Sequence, residues 1–80
     1  MMKKELTIIF MDAKKNKADV GVEITIPGQK DTEFIINKNA SIDNKLDYYL
    51  QTYDDELRHN RNPEIQIVRA FALDFYMGGK

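Results

Sequence analysis

From Ala18 to Ile26 the chain alternates strictly. Ala18, Val20, Val22, Ile24 and Ile26 point one way, and Asp19, Gly21, Glu23 and Thr25 point the other. A period of two over this length predicts a strand with one buried and one wet face. The preceding run, Leu6 to Met11, is rich in β-branched and aromatic residues. It reads as a partner strand with Leu6, Ile8 and Phe10 inward. Between the two lies Ala13-Lys14-Lys15-Asn16-Lys17, where Asn16 tolerates the left-handed backbone of a tight connection. Residues 5–26 are therefore expected to form an antiparallel hairpin with a lysine-rich tip.

Pro27-Gly28 starts a turn that runs to Thr32, and Glu33 to Ile36 reads as a short strand with charged flanks, suited to a sheet edge. Asn37 to Ala40 is expected as a loop and Ser41 as a helix N-cap, with Asp43 favourably placed in the first turn. Ile42, Leu46, Tyr49, Leu50, Tyr53 and Leu57 recur at steps of three and four, so the pattern predicts a helix from about 42 to 59. Asn60 to Asn62 end it and Pro63 prevents its continuation. The last apolar run, Glu64 to Tyr76, is expected as a central strand. Arg69 falls among its inward positions, which requires a bulge near Val68-Arg69 or an arginine that snorkels at the rim.

The resulting fold class is α+β: a three- to four-stranded, mostly antiparallel sheet covered by one helix, in the order β-β-β-α-β. A β-grasp arrangement is the nearest common scheme, although a strand before the helix and the lack of strands after the last one depart from it. Eighty residues make one domain, read as 1–76 with a flexible tail at 77–80. Such a chain buries only about 60% of its unfolded surface, and with no cysteine it has no disulfide to compensate. The short apolar run near the N-terminus, followed by charge, reads as neither a leader nor a span, so the expectation is a cytoplasmic protein with no membrane association.

Net charge is −1, which argues against a general nucleic-acid binder. The charge is nevertheless polarised. Residues 1–17 carry Lys3, Lys4, Lys14, Lys15 and Lys17 against Glu5 and Asp12, whereas residues 41–59 carry Asp43, Asp47, Asp54, Asp55 and Glu56 against Lys45 and Arg58. Both regions can be plain solvated surface, or a field that steers a charged partner.

No catalytic constellation is expected. Ser41 and His59 are the only serine and histidine, and they fall near opposite ends of the expected helix, out of each other's reach. Asp55 and His59 are spaced i, i+4, but two ligands make a thin metal site, and a last-turn histidine also simply suits the helix dipole. No cofactor is implied: Gly21 and Gly28 are isolated and form no phosphate cradle. The Lys14-Lys15-Lys17 cluster has no neighbouring aromatic on which a base could stack. Gly78-Gly79 matches the tail of ubiquitin-like carriers only if Lys80 is first removed.

The helix stripe opposite the apolar one is the candidate binding surface: Asn44, Asp47, Tyr48, Gln51 and Asp55. Tyr48 there can be a lone surface aromatic or a protein-binding anchor. A second expected contact is self-association through the apolar end of the last strand, Phe71 to Tyr76. The leading expectation is a non-enzymatic protein-interaction module, of the size and charge of bacterial and phage accessory factors. A nucleic-acid-associated protein using the lysine cluster and a Gly-Gly carrier are the alternatives.

Overall fold

The computed structural model describes residues 1–73, and the expectations for Asp74 to Tyr76, for the tail 77–80 and for Gly78-Gly79 lie outside them. Within them the chain forms α1 (Lys3–Lys15), β1 (Asp19–Ile24), β2 (Glu33–Asn37), a 3-10 turn (Asn39–Ser41), α2 (Ile42–Thr52) and β3 (Ile67–Leu73). The three strands are antiparallel in the order β2-β1-β3. The α+β class and the antiparallel sheet are as expected. The element order and the number of helices are not.

The first correction is α1. Leu6, Phe10 and Ala13 are buried, at helical spacings of four and three, while Ile8 is 54% exposed and Met11 also faces outward. The β-branched Thr7-Ile8-Ile9 segment favours a strand locally, but packing of this three-residue stripe overrides that preference. The ends of α1 are well satisfied. The Glu5 carboxylate accepts the Met2 N–H at 2.7 Å, and Lys14 and Lys15 lie in the last turn, where cations suit the helix dipole. Ala18 N–H donates to Ala13 O at 2.8 Å and Lys17 N–H to Lys14 O at 3.2 Å, the paired bonds of a Schellman ending. The left-handed residue of this ending is Lys17 (φ 58°), not Asn16. The lysine cluster is thus the end of a helix and not the tip of a hairpin, and the chain passes directly into β1.

β1 holds the centre of the sheet. Val20, Val22 and Ile24 are buried beneath the helices, with Ala70 opposite Val22 on β3 and Ile35 opposite it on β2. α1 packs across β1 and β3 and against α2. The turn at Pro27-Gly28 forms as expected: Gly28 takes φ 84° and Gln29 N–H closes onto Ile26 O at 3.1 Å. β2 is the expected edge, but Asn37 is its last residue and not a loop residue. Its side chain is 1% exposed and fully employed. Asn37 Nδ2 donates to Val20 O (3.2 Å), and Oδ1 accepts from Tyr49 Oη (3.0 Å), which ties the sheet to α2.

Ser41 does not act as a side-chain cap: the 3-10 turn Asn39–Ser41 leads into α2, and no side-chain bond closes its start. α2 then stops at Thr52 instead of running to His59. Asp54 breaks it, because its Oδ1 accepts the N–H groups of both Glu56 and Arg58 at 2.9 Å and offers the backbone an alternative to the helix. These bonds hold the Asp54 carboxyl below the usual range, the Arg58 N–H contributing most. The chain reverses through Leu57, which adopts φ 63°, and pairs Tyr53 with His59 across the turn. Tyr53 and Leu57 are buried all the same, so the turn delivers to the core the two side chains that a longer helix was expected to deliver.

β3 is an edge strand and not a central one. Of the two readings that Arg69 left open, the bulge is the one formed: Glu23 pairs with Arg69 and Ile24 with Ile67, so Val68 is the extra residue. The bulge keeps Ile67 in the core and turns Arg69 to the helix-free face, where its Nε meets Glu23 Oε1 at 2.9 Å. That face also carries Phe34 and Phe71, stacked with centroids 5.6 Å apart over Gly21. A β-carbon at position 21 would lie 2.4 Å from the Phe34 ring, so a larger residue there would displace that ring from the stack.

Candidate functional site

The exposed side of α2 carries Asn44, Asp47, Tyr48 and Gln51, as the helical period requires. Its charge is less free than the sequence suggests. Asp43 pairs with Lys14 across to α1 at 2.8 Å, and Asp47 accepts from Gln51 Nε2 at 3.1 Å. Asp55 leaves the stripe altogether. It sits in the turn after α2, and its carbonyl accepts the Lys3 N–H at 2.9 Å, at the start of α1. The early end of α2 also removes the helical geometry that would have set Asp55 and His59 on one face. No group of three or more metal-type side chains gathers among the described residues.

What replaces that stripe is a cleft of about 450 Å³ between the end of α2 and the segment after the turn, lined by Tyr48, Gln51, Thr52, His59, Asn60 and Arg61. Tyr48 is 51% exposed and stands edge-on to the buried Tyr49, with centroids 5.2 Å apart, so its ring is supported from beneath. The opposite wall is held to the helix by Asn60. Its N–H donates to Thr52 O (2.9 Å) and its Nδ2 to Gln51 O (3.1 Å). Lys3 Nζ donates to Leu50 O (2.9 Å), and Tyr53 N–H to Tyr49 O (3.0 Å). The last carbonyls of α2, which a helix cannot satisfy internally, are thereby each given a donor from outside the helix or its cap.

His59 packs edge-on against Tyr53 at 5.3 Å, and its Nδ1 accepts the Arg61 N–H at 3.1 Å. That bond assigns the lone pair of the neutral ring to Nδ1 and its proton to Nε2. α2 ends before His59, so helical rise no longer sets the distance between His59 and Ser41. The hydrogen bonds of the described residues join His59 Nδ1 to Arg61 and not to Ser41. Arg61 is exposed and takes part in no ion pair among the described residues, whereas Arg58 pairs with Asp54 and Glu56, and Arg69 with Glu23. The cleft therefore combines an aromatic wall, one uncommitted guanidinium, and hydroxyls of Tyr48 and Thr52. Such a set suits an oxyanion carried on a partly apolar group.

Of the residues expected as a binding surface, the cleft uses Tyr48 and Gln51. Asn44 and Asp47 share their helix face outside the cleft, and Asp55 belongs elsewhere. Thr52, Asn60 and Arg61 join it without having been singled out. Their signal was present in Asp54, a residue that competes for backbone N–H groups, placed where a helix of 18 residues was expected. No helix is long and apolar enough to cross a membrane among the described residues. Comparison with protein-family models, with curated proteins and with solved structures gives no match for this chain.

Proposed function

We propose that this protein is a small non-enzymatic interaction module whose Tyr48 cleft receives an acidic side chain of a partner protein. The observation that carries this reading is the placement of Arg61, unpaired among the described residues, across the cleft from a half-exposed tyrosine. Tyrosine and arginine are the side chains that most often dominate protein interfaces, and both are held here on braced backbone. In place of the acidic stripe first expected on α2, the cleft offers the Arg61 guanidinium, which suits an acidic partner. An aspartate or glutamate in an extended segment can reach Arg61 in bidentate fashion while its flanking residues lie on the Tyr48 ring.

A random peptide library selected against the folded protein tests this. Enrichment of Asp or Glu beside an apolar or aromatic residue is expected. Tyr48→Ala and Arg61→Glu should each weaken the selected peptides by about thirtyfold, the scale of a residue worth about 2 kcal/mol. Circular dichroism controls for folding. Peptides without acidic residues, or binding indifferent to both substitutions, would remove the cleft as the docking site. Salt-sensitive retention of DNA or RNA by the same protein would favour the lysine cluster instead.

A further inference from the structure

The two edges of the sheet differ in how they are guarded. β2 is short, begins with Glu33 and is flanked by Lys30, Asp31 and Lys38, the charges by which an edge avoids pairing with strangers. The edge formed by β3 is sealed only at its start, where Ile67 N–H donates to Leu57 O (2.9 Å) and His59 N–H to Ile65 O (2.8 Å). From Arg69 to Leu73 no further strand pairs with its outer side among the described residues. The sequence of that stretch is Arg-Ala-Phe-Ala-Leu, and its single charge does not shield the edge. Arg69 leans along the exposed helix-free face towards Glu23, away from the open edge, and its guanidinium lies 5.1 Å from the Phe71 centroid. Alternate N–H and C=O groups of an edge strand point outward and require partners.

We propose that Arg69–Leu73 pairs antiparallel with the same stretch of a second copy, joining two sheets into one of six strands. Symmetry restricts the register. An antiparallel pair related by a two-fold axis keeps its faces, so residues that meet must share a face. Centring the axis on Phe71 sets Phe71 against Phe71, Ala70 against Ala72 and Arg69 against Leu73 of the copy. Among the described residues the pairs of this register run from Arg69 to Leu73. The chosen register also joins both Phe34–Phe71 stacks into one row of four rings on the helix-free face, and small alanines line the pairing on the other. A contact five residues long buries little area, so the dimer is expected to be weak and concentration-dependent.

Sedimentation equilibrium across a concentration series is the test, and it is independent of the cleft. The weight-average mass should rise from 9.3 kDa towards twice that value. Phe71→Lys places like charges face to face at the axis and should raise the dissociation constant by about tenfold. A second measurement does not depend on that variant. The chain has no cysteine, so Phe71→Cys can form a disulfide only between copies, and residues at the axis lie within disulfide range. Under a mild oxidant Phe71→Cys should cross-link, and Phe34→Cys, on the guarded edge, should not. A mass fixed at one chain, or equal cross-linking from both positions, would overturn the proposal.

Discussion

The bond between Asn37 and Tyr49 is the sharpest test of how this domain is held together. Replacing Asn37 by leucine fills a similar volume but leaves Tyr49 Oη and Val20 O without the partners they now have at 3.0 and 3.2 Å. Each buried group left unsatisfied costs about 1–3 kcal/mol, so Asn37→Leu should destabilise by about 2–4 kcal/mol. A domain of this length holds on the order of 4–12 kcal/mol in total, so the loss is a large fraction of it. At about 4–8 °C per kcal/mol the melting temperature should fall by 8 °C or more. Tyr49→Phe alone strands Asn37 Oδ1 and should cost about 1–2 kcal/mol. In the double variant the tyrosine hydroxyl is no longer there to be orphaned, so it should be more stable than the sum of the two singles predicts, by at least about 0.5 kcal/mol. Urea melts of all four proteins measure the cycle. Strict additivity, or an Asn37→Leu protein as stable as the parent, would refute the claim that this bond ties sheet to helix.

Lys17→Gly should stabilise by about 0.5–1 kcal/mol in thermal melts, because the left-handed residue at the end of α1 then carries no β-carbon. Leu57→Ala should destabilise by about 2–5 kcal/mol, although the position lies in a turn, because the side chain is fully buried. Alkaline titration should destabilise the protein progressively between pH 10 and 12. Burial, the chief cause, pushes the Tyr53 hydroxyl up to about 12 and raises that of Tyr49 as well. Above pH 10 the unfolded chain gives up these protons while the fold retains them, so stability is intact below pH 10 and lost above it. The slope is at most about 1.4 kcal/mol per pH unit for each tyrosine. Melts from pH 9 to 12 check this, and Tyr53→Phe should flatten the decline.

The buried set of this protein was more legible in its sequence than the backbone that buries it. Leu6 and Phe10 are interior whether the first segment is strand or helix, because residues four apart share a face under both periods. Ile8 is the residue that discriminates, and a short apolar run does not say whether it is in or out. Tyr53 and Leu57 likewise satisfy a helical stripe, yet they reach the core through a turn closed by Asp54. That competition between side chain and helix is local chemistry, but its outcome depends on what Leu57 finds to pack against. The alternation of β1 was readable because a sheet face leaves no choice of register, although Asp19 and Gly21 on the face expected to be wet are buried, and the bulge at Val68 was one of two readings that Arg69 left open. Within the candidate site, Tyr48 and Gln51 followed from helical geometry. Arg61 did not, since its place is set by where the helix stops.

These corrections share one cause. A chain of 80 residues without disulfides has a small core, and here polar side chains brace the joints between elements. Asn37 joins sheet to α2, and Lys3 joins the start of α1 to the end of α2 through Leu50 O and Asp55 O. Asn39 reaches Ala13 O and Ala18 O, so that the end of α1 and the approach to β1 are held by one side chain. Asn60 does the same for the end of α2 and the wall of the cleft. An asparagine in a sequence reads as a turn or loop residue. In this fold three of them are instead connections: Asn37 ties the sheet to α2, Asn39 holds the end of α1, and Asn60 fastens the far wall of the cleft to the end of α2 that Asp54 sets. Tyr48 and Arg61 therefore face each other across a gap whose width is set by hydrogen-bonded backbone, the condition under which two side chains can act together on one partner.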